Sequence, residues 1–273
     1  MSKTKPSPAV TKKNKPVADI KKTAAGSSPL TAAAFTKRLY AIASAKEAVS
    51  TQRYFKSGEG QYGEGDIFIG VRMGQLFAIA KDFAAMPVAE LEKLMESPVH
   101  EMRAGAVSIM DKAARNKKTP EHRRKEFFDL YMRRHDRINN WDLVDLGCLH
   151  MTGSYLYNKP RKILYKLARS KNMWERRTAI VSTCYFIRQG DLADTFAIAE
   201  LLINDTEDLV HKATGWMLRF AGDKDQKKLL ELLDKYAATM PRTLLRYSIE
   251  KFDKKKKAYY MGLKKQTPPL SHK

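Results

Sequence analysis

Met102-Arg103-Ala104-Gly105-Ala106 places one charged side chain ahead of three small residues, and similar segments recur along the chain. The charged positions of six such segments are separated by 31, 42, 32, 35 and 34 residues; they are Arg72, Arg103, Asp145, Arg177, Lys212 and Arg246. In a helical chain, a recurrence near 35 residues predicts an α-solenoid, in which each helix pair buries its apolar face against the next. The small residues allow neighbouring helices to approach closely.

Residues 31–262 read as a succession of amphipathic helices, because apolar residues recur at helical spacing. Six short breaks carry turn-forming residues: Met86-Pro87, Ser97-Pro98, residues 117–120, residues 158–160, residues 189–191 and Gly222-Asp223. The period is below the roughly 40–47 residues of regular HEAT repeats, and the signature positions of tetratricopeptide repeats are missing. We therefore predict an all-α fold, an irregular α-solenoid of HEAT-like antiparallel helix pairs that forms a curved superhelix with a basic concave face.

The composition is that of a basic protein with a sizeable core. The 273 residues include 51 Lys and Arg against 30 Asp and Glu, a net charge of +21, and 43% are hydrophobic. Such a charge usually indicates a polyanionic partner. No apolar run approaches the ~18 residues of a membrane span. Two cysteines, Cys148 and Cys184, cannot form a disulfide framework, which indicates a reducing compartment.

Both ends are predicted to lie outside the folded domain, which we place at residues 30–262. Residues 1–29 hold seven Lys, one acid and no aromatic residue, so they cannot bury enough surface to offset the entropy of ordering. This disordered leader is either a solubilising segment or a basic arm that adds non-specific affinity for nucleic acid. Residues 263–273 are expected to form a flexible tail.

Five of the six repeated charges are basic, and equivalent positions of a solenoid line one surface. A basic ridge of this kind suits the phosphate backbone of a duplex. Asp145 breaks the pattern, because a carboxylate in a phosphate-binding groove is repelled by the ligand. Its presence therefore requires another role.

Asp145 ends the stretch Asn139-Asn140-Trp141-Asp142-Leu143-Val144-Asp145. Asn140 is a predicted N-cap, and Asp142 falls in the first turn, where the helix dipole favours a carboxylate. Asp145 lies beyond that turn, so capping does not explain it. Because Trp141 and Asp145 are four residues apart, they share one helix face.

Two further residues are expected near that face. Arg177 takes the equivalent place on the next repeat, and Trp216 follows Lys212 by four residues. Two indoles, one carboxylate and one arginine are therefore predicted to converge. The alternative is structural: both tryptophans belong to the core, and Asp145 and Arg177 form an ion pair between repeats. Trp174, out of register by three residues, is assigned to the core.

Four segments together resemble the AlkD-type DNA alkylation repair family, a group of HEAT-like DNA glycosylases. They are residues 139–145, 174–180 (Trp-Glu-Arg-Arg-Thr-Ala-Ile), 212–219 (Lys-Ala-Thr-Gly-Trp-Met-Leu-Arg) and 242–247 (Arg-Thr-Leu-Leu-Arg-Tyr). In order and spacing the resemblance covers about residues 35–260. The basic leader and a glycine-rich stretch, residues 58–65, depart from the compact family pattern.

The resemblance implies roles for individual residues. Asp145 is the implied catalytic carboxylate, with Trp141 and Trp216 as aromatic walls beside the lesion. Arg177 is the implied phosphate ligand, and Tyr54 resembles the family's N-terminal DNA-contacting tyrosine. Recognition without full extrusion of the base is also implied. Combined with the repeated basic positions, the predicted DNA contacts are Arg177, Tyr54, Arg72, Arg103, Lys212, Arg219 and Arg246.

This residue set suits one reaction. Purines alkylated at N3 or N7 carry a positive charge, and their departure leaves an oxocarbenium-like sugar that a carboxylate stabilises. Arg177 is expected to keep Asp145 ionised. A charged leaving group needs no general acid, and the six His residues form no metal-binding motif, so we expect neither a metal nor a cofactor.

Two functions are therefore predicted. The first is a DNA repair glycosylase that releases cationic N3- or N7-alkylated purines from double-stranded DNA. We expect this enzyme to be a cytoplasmic monomer without membrane attachment, associated with the nucleoid if the organism is bacterial. The alternative is a non-catalytic HEAT-like module that binds nucleic acid or protein through the same basic face.

Overall fold

The computed structural model describes residues 29–263, and the predicted tails lie outside this range except for Pro29 and Leu263. The α-helices are α1 (Ala32–Tyr40), α2 (Ala45–Tyr54), α3 (Met73–Asp82), α4 (Val88–Met95), α5 (His100–Arg115), α6 (Glu121–Arg133), α7 (Trp141–Gly147), α8 (Ser154–Leu156), α9 (Lys162–Leu167), α10 (Met173–Arg188), α11 (Ala193–Leu201), α12 (Asp208–Gly222), α13 (Gln226–Tyr236), α14 (Arg242–Ser248) and α15 (Lys254–Gly262). A 3₁₀ turn (His135–Arg137) precedes α7, and a π-helix (Cys148–Gly153) joins α7 to α8. Within the described range there is no strand, which confirms the all-α prediction.

The six predicted breaks all separate helices. Pro87 and Pro120 occupy the N-cap positions of α4 and α6, because proline has no N–H to leave unpaired at a helix start. Gly190, directly after α10, has a φ of 82°, a left-handed conformation that favours glycine. Other breaks are not among the six; one of them divides the amphipathic stretch after Ala32 at Ser44, whose hydroxyl caps α2 by accepting from the Glu47 N–H.

The helices form two layers. The first layer consists of α1, α3, α5, α7, α10, α12 and α14, each packed on the next, and α4, α6, α9, α11 and α13 pack behind it. Elements therefore contact mainly their neighbours along the array, as in other repeat proteins. This arrangement confirms the predicted solenoid of helix pairs. No helix of the described residues is long and apolar enough to cross a membrane.

The repeated charges mark the first layer. Arg72 is the N-cap of α3, and the other five lie in the first two turns of α5, α7, α10, α12 and α14. The small residues beside them permit close packing, as predicted: a Cβ on Gly215 of α12 would lie 2.6 Å from the Leu244 carbonyl oxygen of α14. A Cβ on Gly105 of α5 would likewise overlap with the Phe35 ring of α1. The repeat thus defines where successive helices start and touch.

Candidate active site

Helix α7 begins at the site because Asn140 caps it, as predicted. The Asn140 side chain accepts the Trp141 N–H at 2.9 Å. The Trp141 ring is half-buried and packs edge-on against Tyr54, with centroids 5.7 Å apart. The buried Phe55 ring also packs against it at 5.4 Å, and the Tyr54 and Phe55 centroids are themselves 5.1 Å apart. This aromatic cluster fixes the orientation of Trp141 at the surface.

Asp145 forms an ion pair with Arg177 of α10. The Arg177 Nη2 donates to both carboxylate oxygens, at 2.8 and 3.0 Å, and Nη1 donates to the Leu209 carbonyl at 2.6 Å. The Asp145 side chain is 25% exposed, whereas that of Arg177 is 6% exposed. Arg177 therefore anchors the carboxylate from inside the protein, and Asp145 presents its remaining surface to solvent.

Burial raises the pKa of Asp145 above its ordinary value, and the attraction to Arg177 opposes this shift. The sequence predicts that Arg177 keeps Asp145 ionised; its attraction is present in the structure, but desolvation of the carboxyl outweighs it in setting the direction of the shift. The bidentate contact uses both oxygens as acceptors, which is the arrangement of an ionised carboxylate.

Two cavities of about 580 Å³ each meet at Tyr54 and Trp141, which line both. We name the first the Asp145 cavity; its lining includes apolar residues such as Phe55 and Leu146, and also Arg72, His100, Glu101 and Asp142 beside Asp145. The second, the Trp216 cavity, is lined by Trp216, Arg177, Lys212, Tyr62 and Tyr247, among others. The structure thus brings the two indoles, the carboxylate and the arginine together. Asp145 and Arg177 line different cavities and are joined by their ion pair.

A buried polar network lies beneath Trp141. His100 contacts Asp142 through Nε2 at 2.8 Å and Asp66 through Nδ1 at 3.2 Å. Asp66 also accepts from Arg103 and Asn139. The two carboxylates raise the pKa of His100 to about 9 against the opposing effect of burial. The ring is therefore protonated at neutral pH and balances the charge between α5 and the start of α7.

This network corrects two predictions. The sequence assigns Asp142 only to the helix dipole, but the side chain is buried and holds His100. The sequence also places Arg103 on a DNA-binding surface, but this residue is 2% exposed. Its guanidinium donates to Asp66, to Asn139 and to the Ser97 carbonyl, so Arg103 is a structural residue.

The other predicted DNA contacts differ in exposure. Arg72 and Lys212 are exposed at 72% and 39% of their side chains, and each pairs with a nearby carboxylate, Glu47 and Asp208 respectively. Arg246 is exposed and donates a hydrogen bond to Thr243. Arg219 is more enclosed, paired with Glu250 and packed over a phenylalanine ring. DNA contact by these residues, and phosphate contact by Arg177, stay predictions.

Comparison with known proteins assigns the chain to a family. A sequence profile of the DNA alkylation repair enzyme family matches residues 35–252. The chain belongs to the DNA alkylation repair enzyme family. A solved structure described as a predicted DNA alkylation repair enzyme from Enterococcus faecalis matches with a TM-score of 0.61 and 16% identity, over 78% of this chain and 97% of that one. It supports the fold. No curated protein matches significantly.

Membership in the DNA alkylation repair enzyme family gives the chain a role in DNA repair, with DNA as its substrate. Within the described residues, no cluster of three His, Cys, Asp or Glu side chains is arranged to hold a metal ion. Trp174 is buried at 7% exposure, which confirms its assignment to the core. Two residues near the site are not predicted from the sequence, His100 and Tyr62. His100 belongs to no recognisable motif. The position of Tyr62 within the glycine cluster is the one feature of the sequence that could have drawn attention to it.

Proposed function

We propose that this family member is a DNA glycosylase that hydrolyses the N-glycosidic bond of cationic N3- or N7-alkylated purines in duplex DNA, without full extrusion of the base. The observation that carries the proposal is the Asp145 carboxylate. It is the acidic member of the repeated basic register, and it borders a cavity with Trp141, next to the cavity that Trp216 lines, while Arg177 holds it from the buried side.

The chemistry follows from the charge of the substrate. The glycosidic bond breaks with its electron pair going to the base, which leaves as a neutral purine. Positive charge then develops on the sugar as an oxocarbenium-like cation, and Asp145 stabilises that charge as it forms. Water adds to the cationic carbon and loses a proton, giving an abasic sugar. The base leaves neutral, so no general acid is needed.

The aromatic residues support recognition at the surface. Indole faces attract a cation, and Trp141 and Trp216 both line the Trp216 cavity. Tyr54, at the junction of the two cavities, is 65% exposed. A site with so exposed a wall suits contact with a base that remains in or near the duplex, in contrast to the snug pocket of base-flipping enzymes.

The second candidate function is a non-catalytic DNA-binding module. It is favoured by the neighbouring pair Arg176–Asp205, which, like Asp145–Arg177, joins a guanidinium to both oxygens of a carboxylate but lines neither cavity. Arg176 donates to the two oxygens of Asp205 at 2.6 and 3.1 Å, and the Asp205 side chain is only 3% exposed. A bidentate pair between repeats can therefore be purely structural here.

The two pairs provide a matched experiment. Asp145→Asn and Asp205→Asn each remove one negative charge and keep the size of the side chain. We expect Asp145→Asn to bind undamaged duplex as well as the wild type, while release of 7-methylguanine from methylated duplex falls roughly 10²–10³-fold, the loss typical of one electrostatic stabiliser. Asp205→Asn should lower the melting temperature and leave the rate per folded molecule unchanged.

The opposite results would support the binding module. If purified wild-type protein releases no base from methylated duplex, the glycosylase proposal fails. It also fails if Asp145→Asn, verified as folded by circular dichroism, releases base at the wild-type rate. In either case Asp145 is a structural partner of Arg177, as Asp205 is of Arg176.

A further inference from the structure

The glycine-rich loop between α2 and α3 has a conformation that only its glycines permit. Gly60 and Gly65 have φ values of 70° and 81°, in the left-handed region. A Cβ on Gly63 would lie 2.7 Å from the Phe55 carbonyl oxygen, so the loop folds back onto the end of α2. The Gly63 N–H confirms this return by donating to the Lys56 carbonyl at 3.0 Å.

Asp66 ties the end of this loop to the protein interior. Its side chain is 4% exposed and contacts His100, Arg103 and Asn139. Shortly after Asp66, the backbone N–H groups of Ile69 and Gly70 donate to the buried carboxylate of Glu101 on α5. The loop is therefore held by buried charges at one end and by close backbone packing in its middle.

The held loop carries Tyr62 into the Trp216 cavity. The Tyr62 ring is half-buried and packs edge-on against the buried Trp174, with centroids 5.8 Å apart. Burial raises the pKa of its hydroxyl. Tyr62 thus packs against a buried ring and lines the same cavity as the proposed lesion-binding Trp141.

We propose that Tyr62 is a specificity-determining residue whose ring packs against the alkylated base and favours its positive charge. This inference rests on the proposed function. The Trp216 cavity is also lined by four basic side chains, Lys56, Arg177, Lys212 and Arg219, and by two carboxylates, Glu207 and Asp208. The basic side chains disfavour a cationic base, and aromatic faces, together with the carboxylates, oppose that repulsion. Tyr62 adds its ring to those of the other aromatic residues that line the cavity, Trp141, Trp216, Tyr54 and Tyr247.

The test measures binding to two lesions that the protein cannot cleave. The first is a duplex containing 2′-fluoro-7-methyldeoxyguanosine, which is cationic but resists cleavage because fluorine destabilises the oxocarbenium ion. The second contains the neutral isostere 7-methyl-7-deazadeoxyguanosine. The readout is the ratio of the two dissociation constants, neutral over cationic, for the full-length protein. We expect Tyr62→Leu to lower this ratio roughly 2- to 30-fold, the range of a cation–π contact.

Two variants complete the set. Tyr62→Phe keeps the ring and should keep the ratio within about 2-fold, because the attraction resides in the ring face. Gln61→Ala alters an exposed neighbour that does not line the cavity, and should leave the ratio unchanged. The proposal is overturned if folded Tyr62→Leu keeps the wild-type ratio, or if Gln61→Ala lowers it equally. Because neither probe requires cleavage, a failure of base release in the wild type is a separate result.

Discussion

Replacing His100 by glutamine removes the positive charge that lies between Asp66 and Asp142. Glutamine is similar in length and can still donate one hydrogen bond, so the main change is electrostatic. In the wild type the two carboxylates raise the pKa of the buried imidazole from 6.5 to about 9. Because the folded pKa lies above the unfolded one, protonation of His100 stabilises the fold fully below pH 6.5, and this contribution is lost as the pH rises through about 9.

The shift gives the expected magnitude. Each pKa unit corresponds to about 1.4 kcal/mol, so a rise from 6.5 to about 9 corresponds to about 3 kcal/mol of stabilisation, most of which is lost between those two pH values. Asp66, whose pKa is lowered, stabilises the fold at neutral and alkaline pH, and this contribution is lost only as the pH falls into the acidic range, outside this interval. Burial raises the pKa of Cys148 to about 12, so this thiol ionises only in the unfolded chain near the upper end of the interval, and it does so in both proteins.

The assay is urea unfolding followed by far-ultraviolet circular dichroism, near pH 6.5 and near pH 9, for the wild type and His100→Gln. We expect the wild-type free energy of unfolding to decrease over this interval, and that of His100→Gln to change much less. Groups that titrate in both proteins cancel in the comparison. Asp142→Asn should reduce the dependence as well, because it removes one of the two carboxylates. Equal pH dependence in the wild type and His100→Gln would refute this account of the network.

Two predictions concern DNA binding. Affinity for undamaged duplex should fall with salt by about 0.9 log units per log unit of salt for each phosphate contacted, and Arg246→Ala should lower that slope by about one. Arg103→Ala should leave the slope unchanged, because its guanidinium is buried; an equal loss of slope for both variants would contradict the assignment. Deleting residues 1–29 should weaken binding to undamaged duplex and leave base release intact, measured by gel shift and by release of 7-methylguanine; loss of release would show that the leader belongs to the site.

The places where the helices of the solenoid begin and end could be predicted from the sequence, because they depend on local patterns. Proline and glycine punctuate the helices, and the repeated charge marks the start of each first-layer helix. The N-cap at Asn140 and the shared face of Trp141 and Asp145 follow from helix geometry alone. These features placed the candidate site on α7 and its neighbours.

Local patterns do not predict whether each of the repeated charged side chains is buried or exposed. Arg103 and Arg246 occupy similar positions, yet one is buried and the other exposed. The difference is Asp66, which reaches Arg103 from a loop 37 residues earlier in the sequence. A contact between residues so far apart in the sequence does not produce a repeating sequence pattern. The glycine cluster was likewise visible, but its conformation depends on contacts with Phe55 and Asn140 that only the fold provides.

Because a π-helix follows α7, the side chains at the start of this helical segment face the cavities and those further along face the core. Trp141 and Asp145 line the cavities, whereas Cys148, Met151 and Thr152 are buried in the core. In an α-helix each residue advances the rotation by about 100°. A π-turn accommodates one extra residue and so changes the rotational phase of the downstream residues without a change of axis. A single-residue deletion within Cys148–Gly153 would therefore act as a rotation, turning either the face of Trp141 and Asp145 away from the cavities or the packing face away from α10.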